Sequence, residues 1–166
     1  MTEPFTVSRD FKAPVALLWT VHTDPAHQAK WLSPGNPAGY KSDMDFRVGG
    51  RHFYGMPGPD GSLMYGIQIF RDIVPLQKII MVQSLADAQG NVAPHPLAPT
   101  WPRQMLSTNL YQDLGDGTSR LTVRWQPLEA TDAEAEMFDA ARGGMQGGWD
   151  HQFGQIAAYL ATLSHD

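Results

Sequence analysis

The chain has 166 residues, 42% of them hydrophobic and 10% aromatic, which fits one domain (residues 1–166) around a sizeable core. Only 17% are charged, the formal net charge is −5 and there is no cysteine. Disulfides and thiolate metal or redox chemistry are thereby excluded, and an acidic chain without basic clusters makes a poor nucleic-acid or anionic-membrane binder.

Sixteen glycines and 13 prolines point to a folded but loop-rich chain. The longest apolar run, residues 13–19, is far too short to span a bilayer and contains Pro14. The start Met1-Thr2-Glu3-Pro4 lacks the basic and apolar stretches of a signal peptide, so the expected location is the cytoplasm.

Residues 5–11 alternate apolar and polar side chains, with Phe5, Val7 and Phe11 as the strand signal. Pro14 suits a first helical turn, and Val15, Leu18, Trp19 and His22 follow at helical spacing. Thr23-Asp24-Pro25 reads as a cap followed by proline, opening a second short helix that runs to about Trp31. From Tyr40 the period changes to two, with Met44, Phe46 and Val48 alternating against Asp45 and Arg47. Gly49-Gly50 turns into a strand over residues 51–56, and Asp60-Gly61 is a strong hairpin signal before a long strand over 64–74.

A further strand covers 79–84, whereas residues 91–102 hold four prolines (Pro94, Pro96, Pro99 and Pro102) and read as an extended loop. Residues 104–114 and 119–126 form a hairpin about Gly115-Asp116-Gly117. The total is six or seven antiparallel strands. Thr131-Asp132-Ala133-Glu134 has capping-box spacing. Trp149, Phe153, Ile156 and Leu160 then fall on one helical stripe. The glycine-rich run 143–148 predicts a bend or break in this last helix. It reads either as a hinge for ligand entry or as a place where small residues let helix and sheet approach.

The sequence contains no nucleophile elbow, phosphate-binding loop, dinucleotide fingerprint or H-E-x-x-H motif. Its six histidines (His22, His27, His52, His95, His151 and His165) are scattered, and none has metal-ligand spacing. No catalytic residue, metal or cofactor is assigned, and the reading leans away from an enzyme. What remains is a curved antiparallel sheet with a long helix across its concave face and a space between them. Alternation expects His52, Tyr54 and Met56 to point inward, with Leu106, Thr108 and Leu110 on another strand and Leu121, Val123 and Trp125 on a third. Such residues build an apolar ligand pocket, and they also build an ordinary core.

The order and spacing of several short motifs resemble the activator-of-heat-shock-protein-90-ATPase-homologue-like family. These are Arg9-x-Phe11-x-Ala13-Pro14, Trp19, Thr23-Asp24-Pro25, Trp31-Leu32-x-Pro34 and Asp45-Phe46-Arg47-Val48-Gly49-Gly50. Pro59-Asp60-Gly61, Gly66, Phe70-Arg71-Asp72-Ile73-Val74-Pro75 and Gly148-Trp149 continue the likeness over almost the whole chain. The resemblance implies an α+β, helix-grip (START-like, SRPBCC) fold: one strand, two small helices, six further strands and a long C-terminal helix. It also implies a cavity between sheet and helix, where relatives in the wider superfamily bind lipids, sterols or polyketides. The chain departs from the family at Val48, usually proline, at His52, usually aromatic, at Leu76-Gln77-Lys78, and in the expanded loop 91–102.

Asp45 and Arg47 read as a solvent-side charge pair on one strand face, and Gly49-Gly50 as a backbone requirement. Trp31 reads as a lid of the core or a ring stacking on ligand, and Trp149 as the helix anchor or a cavity wall. His52 is a hydrogen-bonded core residue or an acid–base group. The leading reading is a domain that encloses a small apolar or aromatic ligand, lined by Trp31, Phe46, His52, Tyr54, Thr108, Trp125, Met145 and Trp149. The alternatives are a module binding a chaperone-type or transcription partner, and a cyclase-like or hydrolase-like enzyme using His52 and Tyr54. A homodimer through an edge strand or loop 91–102 is open.

Overall fold

A computed structural model describes residues 3–163; Met1, Thr2 and His165 lie outside the described residues. The chain runs β1 (Phe5–Phe11), α1 (Val15–Thr23), α2 (Pro25–Leu32), a single 3-10 turn (Pro37–Gly39) and β2 (Lys41–Met44). β3 (Arg51–Pro57), β4 (Leu63–Val74), β5 (Lys78–Ala86), β6 (Met105–Gly115) and β7 (Thr118–Pro127) follow, then α3 (Asp132–Ala140) and α4 (Arg142–Ala161). All seven strands join one curved antiparallel sheet in the order β1-β7-β6-β5-β4-β3-β2. This is the α+β order of elements expected from the alternation, and the helix-grip fold that the resemblance implies.

Local chemistry sets the elements. The Asp24 side chain accepts from the Ala26 N–H at 2.9 Å while Pro25 occupies the first helical position. Thr131 and Glu134 form the expected capping box of α3. Gly115, Asp116 and Gly117 all take positive φ in the β6–β7 turn. Loop 91–102 is irregular apart from the isolated bridges Ala86↔Val92 and His95↔Ala98.

The core collects on the concave face. Phe5, Val7 and Phe11 of β1 and Leu121 and Val123 of β7 are buried with Leu18 and Val21 of α1 and Phe153, Ile156 and Leu160 of α4. Phe11 meets Phe153 edge-on, ring centroids 6.0 Å apart.

Three expectations change. The helical break falls at Ala141, between α3 and α4, and not inside residues 143–148. Gly143, Gly144, Gly147 and Gly148 are helical and exposed, and a Cβ added at any of them meets nothing within 4 Å, so they do not draw helix and sheet together. The helix survives its glycines because Met145 and Phe153 anchor it to the core. Next, β2 stops at Met44, so Asp45 and Arg47 sit in the connection to β3; their ion pair at 2.8 Å is formed there, in solvent. The strand cannot continue because Gly49 and Gly50 leave it to bond Phe70 of β4 (Gly49 N–H to the Phe70 carbonyl, 2.8 Å). Gly49 has φ +83°, and a Cβ on Gly50 would lie 2.0 Å from the Asp45 carbonyl oxygen.

The third change is the phase of β6. Met105, Ser107, Asn109 and Tyr111 are buried on the concave side, whereas Leu106, Thr108 and Leu110 face the other way, Leu110 41% exposed. Both phases of this strand carry large apolar residues, so alternation alone could not choose between them. Pairing decides it: Ser107 lies opposite the inward Trp125, and Asn109 opposite Val123.

Candidate functional site

Between α4 and the β2–β5 end of the sheet lies a cavity of about 350 Å³. Its floor is the concave face: His52, Tyr54 and Met56 of β3, Gln68 and Phe70 of β4, Ile79, Met81 and Gln83 of β5, and Ser107 and Asn109 of β6. Trp125 of β7 closes one side, and Met145, Gly148, Trp149 and Gln152 of α4 form the roof. His22 and Thr23 of α1, Gln28, Trp31 and Leu32 of α2, Tyr40 and Met44 complete the wall. Phe46 reaches it from the β2–β3 connection, edge-on to Phe70 at 5.1 Å. Seven of the eight residues expected in the lining are thus brought together, and Thr108 is the one that is not. Its place is taken by Ser107 and Asn109, as the β6 phase requires.

Glycine shapes the floor. A Cβ on Gly66 would lie 2.4 Å from the Tyr54 hydroxyl and ring, because Tyr54 lies directly over its register partner Gly66. The roof is aromatic: the Trp125 and Trp149 rings meet edge-on at 5.1 Å, and Trp149 leans on Phe153 at 5.6 Å. Trp31 serves both alternatives drawn for it. It is 2% exposed and donates its indole N–H to the Val21 carbonyl at 2.7 Å, yet it also borders the cavity.

Among the described residues no Asp, Glu, Lys or Arg lines the cavity. Its polar groups are neutral, and many of them are bonded to one another. Trp125 donates its N–H to Ser107 Oγ at 3.1 Å, and Ser107 Oγ donates to Asn109 Oδ1 at 3.5 Å. Tyr111, two residues further along β6, reaches His22 Nδ1 with its hydroxyl. Burial pushes the Tyr111 hydroxyl up and the His22 ring down to about 4, so the ring is neutral. His22 stacks on Trp31 with centroids 5.7 Å apart.

A second network crosses the floor. Ser42 Oγ bonds His52 Nε2 at 2.8 Å, and His52 Nδ1 bonds Gln68 Oε1 at 2.9 Å. Gln68 Oε1 can only accept, so Nδ1 carries the proton and Nε2 accepts from Ser42. Burial is the main cause that lowers the His52 pKa, and the Gln68 bond opposes it. Tyr40 donates to Gln28 Oε1 at 3.1 Å, and Gln28 donates to the His22 carbonyl at 2.8 Å. Burial raises the pKa of both Tyr40 and Tyr54, keeping them protonated. One atom stands apart: Gln83 Oε1 is buried and has no hydrogen-bond partner among the described residues.

Residues 12–161 match the family described as Activator of Hsp90 ATPase homolog 1-like protein. The chain belongs to that family. Its fold is shared with protein Ms6760 from Mycobacterium smegmatis, at 24% identity and TM-score 0.73 over 99% of this chain and 94% of that one. A protein from Arthrobacter aurescens solved by NMR is 24% identical with TM-score 0.75, over 99% and 89% of the two chains. A third, from Rhodobacter sphaeroides, is 18% identical with TM-score 0.71, over 98% and 94%. No curated protein matches the chain. Gly49 takes φ +83°, and a Cβ on Gly50 or Gly66 would collide with the Asp45 carbonyl oxygen or with Tyr54, so this fold needs glycine at these positions.

Among the described residues no helix is long and apolar enough to cross a membrane, and no group of three His, Asp or Glu side chains is placed to hold a metal. Sequence reading missed Gln28, Tyr40, Gln68, Gln83, Ser107 and Asn109. For Gln68, Gln83, Ser107 and Asn109 the available signal was a neutral polar residue within a strand otherwise rich in apolar side chains; Gln28 on α2 and Tyr40 before β2 had none.

Proposed function

We propose that this chain binds a small, uncharged, largely apolar or aromatic molecule between α4 and the sheet. The observation that carries the reading is the cavity itself: about 350 Å³, walled by Trp, Tyr, Phe and Met, without a charged side chain. Ligand pockets begin at roughly 300 Å³ and combine apolar walls with a few oriented polar groups. Lining by Trp31, Phe46, His52, Tyr54, Trp125, Met145 and Trp149 supports it. An ionised ligand is disfavoured, since burying a charge without a counter-charge costs several kcal/mol or more. Native mass spectrometry of the chain purified from its own host should show a small neutral molecule retained. A chain that carries nothing, and takes up no neutral aromatic probe in titration, would overturn the reading.

No reaction is assigned. Both ring nitrogens of His52 are engaged, by Ser42 and Gln68, so the acid–base role would require breaking a buried bond first. A second reading, docking to a chaperone ATPase, draws on family membership and on exposed apolar side chains such as Leu97, 89% exposed in loop 91–102. Its test is the ATPase rate of an Hsp90-type chaperone with the purified chain added; an unchanged rate argues against it.

A further inference from the structure

Tyr54 and Gln68 stand apart on the floor by what their side chains leave free. The Tyr54 ring lies along the sheet, and its hydroxyl rests where a Cβ on Gly66 would stand, two residues from Gln68 on the same face of β4. Burial raises the pKa of this hydroxyl and keeps it protonated, and it has no hydrogen-bond partner among the described residues. Among those residues Gln83 Oε1 is the only side-chain nitrogen or oxygen that is both sealed from solvent and unpartnered. The Tyr54 hydroxyl is therefore not sealed: it opens onto the cavity that Tyr54 lines. Gln68 is fixed by its other end. Its Oε1 accepts the His52 proton at 2.9 Å, which turns the amide N–H2 group away from His52. That group also has no partner among the described residues, and on the same ground it is open to the cavity.

We infer that the Tyr54 hydroxyl, with the Gln68 N–H2 group beside it, is the recognition point of the cavity, and that the ligand is a neutral aromatic molecule presenting a carbonyl oxygen to this pair. This rests on the ligand-binding reading above. A hydroxyl alone serves a donor or an acceptor equally, but the neighbouring N–H2 group can only donate. A carbonyl oxygen has two lone pairs and meets both. A carboxylate is disfavoured, since among the described residues no Lys or Arg lines the cavity to balance its charge. The body is best aromatic, because the Trp125–Trp149 pair offers edges and faces to a further ring.

The test is isothermal titration with 2-acetylnaphthalene and with 2-isopropenylnaphthalene, in which a methylene group replaces the carbonyl oxygen. In Tyr54→Phe the ketone should lose about three- to tenfold in affinity, the effect of one neutral hydrogen bond, while the hydrocarbon changes by less than about twofold. Infrared spectroscopy of the wild-type complex gives a readout that needs no variant: the carbonyl stretch of the bound ketone should lie below its position in hexane. A stretch at the hexane position, a ketone affinity unchanged in Tyr54→Phe, or an equal loss for both probes overturns the inference and leaves ligand binding standing. If neither probe binds the wild-type chain, the ligand-binding reading falls and takes the inference with it.

Discussion

The concave face of the sheet is used in two opposite ways. At the β1–β7 end, inward positions are Phe5, Val7, Phe11, Leu121 and Val123, and α1 and α4 press Leu18, Val21, Phe153 and Ile156 into them; most of these are 0–3% exposed. At the β2–β5 end, inward positions include His52, Tyr54, Gln68 and Gln83, and a cavity of about 350 Å³ stays open above them. Apolar side chains of variable shape interdigitate and fill space. Neutral polar side chains must keep their partners at bonding distance and angle, so they hold one another in place and cannot collapse into a void. One end of the sheet therefore supplies stability, and the other holds a shape.

The largest test of this division is a pair of truncations. Phe153→Ala, at the solid end, should cost about 3–5 kcal/mol in denaturant unfolding. Trp149→Ala, one turn earlier on the same helix but half-exposed over the cavity, should cost under about 2 kcal/mol. Equal losses would show that the two ends are packed alike.

Acid comes next. His22 is neutral in the fold, its pKa pushed down by burial from 6.5 to about 4, so between those values the unfolded chain takes up a proton that the folded chain refuses. Stability is therefore complete above about pH 6.5 and falls as pH drops toward 4, by up to about 3 kcal/mol. His52, also lowered by burial, acts in the same direction. His22→Gln should flatten much of that slope in urea titrations across pH 4–7, and an unaltered slope would show that His22 is not its source.

A smaller effect probes the floor. Gly66→Ala places a Cβ where Tyr54 lies, forcing the ring toward the cavity. The expected cost is about 1–3 kcal/mol, with probe binding weakened. Undiminished binding would show that Tyr54 does not shape the cavity. Smallest of all, Gly143→Ala, Gly144→Ala and Gly147→Ala should each raise stability by about 0.5–1 kcal/mol, since each position is helical, exposed and open. A loss there would mean that the glycines have a packing role the structure does not show.

Much of this molecule was readable from residue order. Strand alternation, the Asp24-Pro25 and Thr131–Glu134 caps and the Gly115–Gly117 turn each follow from one local rule, and each formed as expected. The failures have physical causes. Strand β6 carries apolar residues on both faces, Leu106 and Leu110 on the outer one and Met105 and Tyr111 on the inner one, with Ser107 and Asn109 between the inner pair. Nothing local announced that reversal; only the pairing with Trp125 fixes it. The helix break at Ala141 also lacked a signal, as alanine takes the C-cap in an ordinary helical conformation, whereas the glycines that predicted a break were held straight by their neighbours' burial. Seven lining residues were legible because tryptophan, tyrosine, phenylalanine, methionine and histidine side chains stand out in the strand and helix patterns. The neutral hydrogen-bond networks were not, because they depend on which strands are neighbours.

The most direct test uses the five tryptophans as reporters. Trp31, Trp125 and Trp149 border the cavity, whereas Trp19 and Trp101 do not. Titration with 2-methoxynaphthalene, followed by the indole N–H signals in nitrogen–proton NMR, should shift the first three and leave the other two in place. Shifts confined to Trp19 and Trp101, or no shifts at saturating probe, would show that the space beneath the helix does not admit a guest.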